Sequence, residues 1–282
     1  MGRLLTSPVE RRLNAADGTP LQVVDWPVDR AQGNGRGVVL MHGLGEHCGR
    51  YSHVAKFFND NGWSVRSYDH RGHGRSGGAR GDVPDNEALV RDAKVVIDDF
   101  ARQFDAPPLL FGHSMGGLFA ARFAIAGLSP LQALILSSPA LALPLSAPQK
   151  LLLGVLRAAA PGFGVPNGLQ TRYLSHDPAV ETAYKNDPLV HPKISARLLT
   201  AMFSAVDFAH AHAPTLKIPT LMVVAGDDRL VDASGSDAFF ARLAPGIGTM
   251  RRYPNFYHEL LNETGAQQVF DDMRHWMSAL PA

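Results

Sequence analysis

A glycine-rich turn at residues 112–117, with the sequence G-H-S-M-G-G, constrains the fold of this chain more than any other segment. It follows the apolar run of residues 108–111 and precedes the helix-like run of residues 118–124. A serine in a tight turn from a strand into a helix has sparsely allowed backbone angles, and the residues two positions away on either side must lack side chains. Both positions are glycine here, so the turn is predicted to expose Ser114 above the end of a strand.

Ser114 is therefore the candidate nucleophile. A serine hydroxyl is a weak nucleophile and needs a base together with a carboxylate that orients the base. In hydrolases with such a turn, the acid and the histidine follow the serine in that order. The buried strand predicted at residues 218–225 runs into Asp227 and Asp228, and a later strand-like run leads to His258. We predict His258 as the base.

The choice of the acid rests on a pattern. The glycine-bounded turn allows either Asp227 or Asp228 to aim back toward the sheet. We favour Asp228, because the acid in such hydrolases commonly precedes a short apolar step, here residues 229–231, that leads into the next helix. Asp227 stays the alternative, and Asp232 is expected to cap that helix.

Acyl transfer also needs backbone donors for the oxyanion. One comes from the residue after the nucleophile and the other from an earlier loop. Met115 supplies the first N–H group. Residues 38–45 form a strand that ends in a glycine-flanked loop, and Leu44 is the predicted second donor.

Three further segments accompany the serine turn. They are H-G-L-G-E-H at residues 42–47, D-H-R-G-H-G-R-S at residues 69–76 and Y-K-N-D-P-L at residues 184–189. Together with the turn they resemble the monoacylglycerol lipase and lysophospholipase branch of the α/β-hydrolases, of the serine aminopeptidase S33 type. The resemblance extends from about residue 20 to about residue 275.

This resemblance implies an α/β-hydrolase fold with a catalytic triad of Ser114, Asp228 and His258. It also implies an oxyanion hole formed by the N–H groups of Leu44 and Met115. These roles agree with those read from the residues alone. The implied activity is hydrolysis of esters that have an apolar acyl chain, such as monoacylglycerols or lysophospholipids, without a cofactor.

The resemblance also concerns the alcohol side of the substrate. In the family, the positions that match Glu46, Arg50 and Tyr184 line the polar pocket near the leaving alcohol, so these three residues are predicted to bind substrate. The chain departs from some relatives at Leu261, where they place a second histidine for glycerol. Specificity for monoacylglycerols therefore does not follow from the resemblance.

The chain has 282 residues, of which 45% are hydrophobic, and this is enough for one large α/β domain over residues 1–282. An opening hairpin is predicted at residues 8–26 and a mostly parallel central sheet after it. Strands are expected near residues 64, 109, 133, 220 and 249. Helices are expected at residues 51–61, 86–104, 114–126, 234–244 and 265–279.

The alternation stops after residue 139. Residues 140–205 are rich in proline, leucine and alanine, and we predict an inserted helical cap there, without strands. A short apolar helix is expected at residues 150–160. Its apolar face either packs on the core or contacts an acyl chain or, peripherally, a membrane surface.

Charge and composition exclude several functions. The formal net charge of +1, with acidic and basic residues interspersed, argues against nucleic-acid binding. Arginines 66, 71, 75 and 80 are expected to be solvated or internally paired. No apolar run reaches the roughly 18 to 20 residues that span a bilayer, so stable membrane insertion is not expected. No feature indicates an oligomeric state.

The cysteine and histidine content argues for a reduced compartment and against a metal. Cys48 is the only cysteine, and residues 1–8 lack the apolar core of a signal peptide, so a cytoplasmic location is predicted. Cys48 is expected to be a bystander. His42, His47, His70 and His73 lack the compact spacing of zinc ligands, so no metal site is predicted.

Two alternatives to ester hydrolysis stay open. The same triad serves amide, peptide or thioester substrates, and proline aminopeptidases share the fold and the serine turn. A noncatalytic receptor or scaffold built on this fold is the second alternative, although serine, aspartate and histidine all occur in the order that catalysis requires.

Overall fold

Strands and helices alternate along the chain after an opening hairpin. The computed structural model describes residues 7–29 and 33–281. In these residues the strands are β1 (Val9–Asn14), β2 (Pro20–Trp26), β3 (Arg36–Met41), β4 (Trp63–Tyr68), β5 (Leu109–His113), β6 (Ala133–Ser137), β7 (Gly164–Pro166), β8 (Lys193–Ser195), β9 (Thr220–Ala225) and β10 (Gly248–Tyr253). The α-helices there are α1 (Ser52–Asp60), α2 (Ala88–Ala101), α3 (Met115–Ile125), α4 (Ala147–Ala159), α5 (Pro178–Asn186), α6 (Ala196–His212), α7 (Ser234–Phe240) and α8 (Ala266–Ser278).

Within the described ranges, eight strands form one sheet in the order β1-β2-β4-β3-β5-β6-β9-β10. β2 pairs antiparallel with β1 and β4, and the neighbours from β4 through β10 are all parallel. The carboxyl ends of parallel strands meet at one edge of a sheet. The segments after β3, β5, β9 and β10, which carry the candidate site residues, therefore leave the sheet at the same edge.

The sheet is buried on both faces. Along β5, Leu110 belongs to one apolar cluster, whereas Leu109 and Phe111 belong to the other. Successive side chains of a strand point to opposite faces, so a central strand covered on both sides is apolar throughout. Helices α2, α3 and α6 cover the first face, and α1 and α8 cover the second. The strands and helices predicted from the sequence are present at these positions.

The chain between β6 and β9 departs from the prediction in two respects. The expectation of no strands in residues 140–205 is wrong, because β7 and β8 pair antiparallel there. Each strand has three residues, which is too short for a periodic pattern to be read. In addition, α6 continues to His212 and packs on α3, and its Ala201, Ala205 and Ala209 are buried in the apolar cluster of the first face, so α6 belongs to the layer that flanks the sheet.

Two arginines of the basic cluster, Arg66 and Arg71, form ion pairs inside the protein, whereas Arg75 pairs with Glu10 at the surface. Arg66 is fully buried, and its guanidinium donates to Asp25 at 2.7 Å and to Asp99 at 2.6 Å. Arg71 donates to the buried carboxylate of Asp92 at 2.6 Å. These charges hold strands and loops together inside the protein.

No helix in residues 7–29 and 33–281 is long and apolar enough to cross a bilayer.

Candidate active site

Ser114 lies in the turn between β5 and α3 with φ of +53° and ψ of −121°. The turn is possible because its glycines are packed against backbone. A Cβ on Gly112 would lie 2.5 Å from the carbonyl oxygen of Gly116, and a Cβ on Gly116 would overlap the carbonyl oxygens of Met41 and His42. Helix α3 therefore begins directly against the end of β3, and Ser114 stands at the carboxyl edge of the sheet.

Asp228 and His258 are hydrogen-bonded at the same edge. His258 Nδ1 donates to Asp228 Oδ2 at 2.7 Å, and both side chains are buried. The other carboxylate oxygen, Oδ1, accepts the N–H groups of Leu230 and Val231, each at 2.9 Å. The apolar step after the aspartate thus holds the carboxylate in place through its backbone.

The neighbouring aspartates have other partners. Asp227 accepts a hydrogen bond from Arg229 Nε at 2.5 Å, and its side chain is 37% exposed. Asp232 Oδ1 accepts the N–H of Ser234 at 2.9 Å, at the start of α7. Of the three candidates, the structure brings Asp228 to His258.

The Asp228–His258 pair favours the charged form of both groups. Burial alone would raise the pKa of Asp228, but the charge and hydrogen bond of His258 outweigh it and lower that pKa. Burial alone would lower the pKa of His258, but Asp228, followed by Glu259 and Glu46, outweighs it and raises that pKa. An imidazolium at His258 is thus stabilised by the carboxylates of Asp228, Glu259 and Glu46.

The loop after β3 approaches the serine turn closely. A Cβ on Gly43 would lie 3.3 Å from Cβ of Ser114. The N–H of Gly43 donates to Glu46 Oε1 at 2.6 Å, which holds the loop in a tight turn. In the part of the chain that the structure describes, the N–H groups of Leu44 and Met115 donate to no other residue. Leu44 and Met115 both line the same cavity as Ser114.

The predicted alcohol-side residues form one ion-pair network. Arg50 Nη1 donates to Glu46 Oε2 at 2.5 Å, and the guanidinium lies 4.8 Å from the centroid of the Tyr184 ring. The structure adds Glu259, whose carboxylate accepts two hydrogen bonds from Arg50 at 2.7 and 2.8 Å. Sequence reasoning missed Glu259, although an acid directly after the predicted base was a signal for it.

His113 is a second residue without an assigned role. Its ring packs 4.8 Å from the His258 ring, and its Nδ1 lies 3.2 Å from Ser137 Oγ. Burial, followed by the charge of His258, lowers the pKa of His113 to about 4. The His113 ring is therefore uncharged at physiological pH and packs against the His258 ring.

A cavity of about 550 Å³ opens over these residues. Its polar end includes Ser114, His258, Glu46, Glu259 and Tyr184. The remainder is mostly aliphatic and is contributed largely by residues between β6 and β9. These aliphatic residues include Leu143, Leu145, Leu152, Leu153, Leu156, Val165, Leu169, Leu174, Ile194, Leu199 and Met202.

Other candidate chemistries have no support in the geometry. In residues 7–29 and 33–281, no group of three or more His, Cys, Asp or Glu side chains is arranged to hold a metal ion. Cys48 is buried, and burial together with Asp69 raises the pKa of its thiol well above the ordinary value. A thiol of this kind stays protonated and unreactive.

Residues 34–265 match the sequence profile of the family described as serine aminopeptidase, S33. The chain belongs to this family. Among its relatives, the monoacylglycerol lipase of Mycolicibacterium smegmatis is 36% identical over 247 residues, which are 85% of this chain and 87% of the relative. Phospholipase YtpA of Bacillus subtilis is 32% identical over 255 residues, 88% of this chain and 96% of the relative.

The crystal structure of Paleococcus ferrophilus monoacylglycerol lipase is similar in fold and sequence. It has a TM-score of 0.83 and 31% identity, and the match covers 93% of this chain and 99% of that chain. This S33 member is accordingly a serine ester hydrolase with the α/β-hydrolase fold.

Proposed function

We propose that this protein hydrolyses carboxylic esters with an apolar acyl chain, using Ser114 as nucleophile, His258 as base and Asp228 to orient the base. The observation that carries the proposal is the 2.7 Å hydrogen bond from His258 Nδ1 to Asp228 Oδ2, beside a cavity that His258 and Ser114 both line. That bond leaves Nε2 of His258 as the nitrogen that accepts a proton.

In the first half of the reaction, His258 takes the proton of the Ser114 hydroxyl as the oxygen attacks the ester carbonyl. The resulting imidazolium is stabilised by Asp228, which accepts its Nδ1–H. His258 then donates the proton to the alkoxide, and the alcohol leaves. In the second half, water attacks the acyl-enzyme with His258 again as base, and Ser114 is regenerated.

The tetrahedral oxyanion is proposed to bind the N–H groups of Leu44 and Met115. Support comes from their position on either side of the close approach between Gly43 and Ser114. Met115 is also the first residue of α3, so the positive end of the helix dipole faces the developing charge. Loss of one such donor typically lowers kcat by about 10²–10³-fold.

The acyl chain is proposed to occupy the aliphatic part of the cavity, under a cap formed by residues 140–195, because α6 from Ala196 onward belongs to the layer that flanks the sheet. The alcohol is proposed to lie at the polar end, near Glu46, Arg50 and Tyr184. The relatives named monoacylglycerol lipase and phospholipase support monoacylglycerols and lysophospholipids as substrate classes.

The cap is also proposed to contact lipid aggregates peripherally. Leu151, Leu152 and Val155 on α4 are 73%, 51% and 56% exposed, and Phe163 just after the helix is 62% exposed. Four large apolar side chains on one end of the molecule favour adsorption to a lipid surface without insertion across it.

The test is hydrolysis of nitrophenyl esters and monoacylglycerols of graded chain length by the purified protein and by Ser114→Ala. We expect turnover that Ser114→Ala abolishes, with a chain-length optimum set by the cavity. Ser278→Ala, which changes an exposed serine at the end of α8, is the matched control and should retain full activity.

Three results would contradict the proposal. Turnover that survives in Ser114→Ala would place the reaction elsewhere. Turnover of amides or thioesters but not of esters would favour the other substrate classes. No turnover of any of these substrates, together with no labelling of Ser114 by a fluorophosphonate, would favour a noncatalytic protein.

A further inference from the structure

The polar end of the cavity carries an excess of negative charge. Glu46 and Glu259 both line it, whereas no lysine or arginine is among its lining residues in the described chain. Both carboxylates are buried, with side-chain exposures of 4% and 6%. A substrate group at this end therefore meets carboxylates and no exposed cation.

Arg50 neutralises only part of this charge. Its Nη1 donates to both carboxylates and its Nη2 donates to Glu259, so both terminal nitrogens point at protein carboxylates. The guanidinium is stacked on Tyr184 and lies behind the residues that line the cavity. Two carboxylates around one guanidinium leave a local charge of minus one, and Arg50 is not free to bind a phosphate.

Hydrogen-bonding capacity at this end matches a polyol. An ionised carboxylate only accepts hydrogen bonds, so hydroxyl groups of a substrate can donate to the lone pairs that Glu46 and Glu259 leave free. A phosphate group has oxygens that also act as acceptors, and it would face these carboxylates at close range in a site of low dielectric.

We propose that, of the two substrate classes above, this site selects monoacylglycerols, whose leaving alcohol is uncharged, over lysophospholipids and other esters whose leaving alcohol carries an anionic phosphate. This proposal rests on the proposed ester hydrolysis and specifies its substrate class. The selecting groups are Glu46 and Glu259, with Arg50 sequestered between them.

The first test compares 1-hexanoylglycerol with 1-hexanoylglycerol 3-phosphate at monomeric concentrations, so that surface effects do not enter. We expect kcat/KM to be about 10–100-fold lower for the phosphate ester at low salt. The difference should narrow as the salt concentration rises, because screening weakens repulsion during substrate entry. Equal or faster hydrolysis of the phosphate ester by the wild-type protein would overturn the proposal.

The second test uses Glu259→Gln, which removes one carboxylate and leaves Arg50 with a single ionic partner. The ratio of kcat/KM for the two esters should fall toward unity by about tenfold. Glu181→Gln on α5 removes a carboxylate outside the cavity and is the matched control, for which the ratio should not change. An unchanged ratio in Glu259→Gln would contradict the role of this residue.

Ester hydrolysis and charge selection can be tested separately. If neither ester is hydrolysed, the proposed function fails. Charge selection can then still be measured by calorimetric binding of both esters to Ser114→Ala, because binding requires no turnover. Tighter binding of the uncharged ester than of the phosphate ester supports the selection. Equal or weaker binding of the uncharged ester refutes it.

Discussion

Glu263 Oε1 lies 2.8 Å from Nδ1 of His176, and this contact joins two segments that are 87 positions apart. Glu263 is on the loop that carries His258, and His176 is in the segment between β6 and β9. Two parallel contacts lie beside it, from the N–H of Glu259 to the carbonyl of Leu174 at 2.8 Å and from Ser175 Oγ to the carbonyl of Asn262 at 2.9 Å. The inserted segment and the histidine loop are therefore one hydrogen-bonded unit.

Replacement of Glu263 should loosen this unit. The buried carboxylate also accepts the N–H groups of His176, Tyr257 and Thr264, so Glu263→Ala leaves these donors without their partner. We expect the free energy of unfolding to fall by about 2–4 kcal/mol. We also expect kcat to fall by at least about tenfold, because Tyr257 precedes His258. Urea unfolding and steady-state kinetics measure the two effects.

The control for this prediction is His176→Ala. It removes one hydrogen bond to Glu263 and the stacking of a 42% exposed ring on Tyr257, but the carboxylate keeps its backbone donors, so it should cost only about 1–2 kcal/mol. If Glu263→Ala were as stable and as active as the wild-type protein, the carboxylate would not hold the loop.

The serine turn should tolerate no side chain at Gly112. A Cβ there would lie 2.5 Å from the carbonyl oxygen of Gly116, and only backbone movement could relieve the overlap. Gly112→Ala should therefore lower stability by about 1–3 kcal/mol and kcat by about 100-fold, because Ser114 moves with the turn. Thermal unfolding and ester hydrolysis measure both.

Gly154 supplies the matched control for this substitution. It lies inside α4, and a Cβ there would have nothing within 4 Å. Gly154→Ala should raise stability by about 0.5–1 kcal/mol through the higher helix propensity of alanine. A loss of activity in Gly112→Ala no larger than in Gly154→Ala would show that packing around the turn does not position Ser114.

The parts of the fold and site that could be predicted are those with local signals. The turn around Ser114 and the apolar run of β9 can be read from neighbouring residues, because strand, turn and helix preferences are short-range. The order of Ser114, Asp228 and His258 allowed their grouping at one sheet edge, since parallel strands deliver their following loops to the same side.

The parts that could not be predicted depend on long-range register. The ion pair between Arg50 and Glu259 joins residues 209 positions apart, and no local pattern specifies it. The choice between Asp227 and Asp228 needed the path of the turn after β9, which decides which carboxylate faces inward. The β7–β8 pair has too few residues for any period to be detected.

The pH dependence of ester hydrolysis should reflect the effect of the surrounding carboxylates on the pKa of His258. Catalysis requires neutral His258, and its pKa is raised because Asp228, Glu259 and Glu46 outweigh burial. We therefore expect kcat/KM for an uncharged ester to fall on the acid side with an apparent pKa above 6.5, the ordinary value for histidine. Glu259→Gln should shift this limb to lower pH, and Glu181→Gln should not. A limb at or below 6.5 in the wild-type protein would contradict the assignment of His258.

Stability should also depend on pH, through buried histidines that the reaction does not use. His42, His70 and His73 are fully buried in contact with one another, and burial first, then their neighbours, lowers the pKa of each well below 6.5. In the described structure, Nδ1 of His70 and Nε2 of His73 have no hydrogen-bond partner. The folded protein therefore holds these rings neutral.

The sign of the effect follows from proton linkage. Below pH 6.5 the unfolded chain binds protons at these positions and the folded protein does not, so the free energy of unfolding is unaffected above that pH and falls as the pH drops below it. Each histidine contributes at most about 1.4 kcal/mol per pH unit. Urea unfolding between pH 8 and pH 5 should show this decline in the free energy of unfolding. His73→Gln should reduce the slope of that decline by the contribution of one histidine, at most about 1.4 kcal/mol per pH unit. His275→Gln, at an exposed position on α8, should leave the slope unchanged; equal slopes in the wild-type protein and both variants would exclude His73 from the acid response.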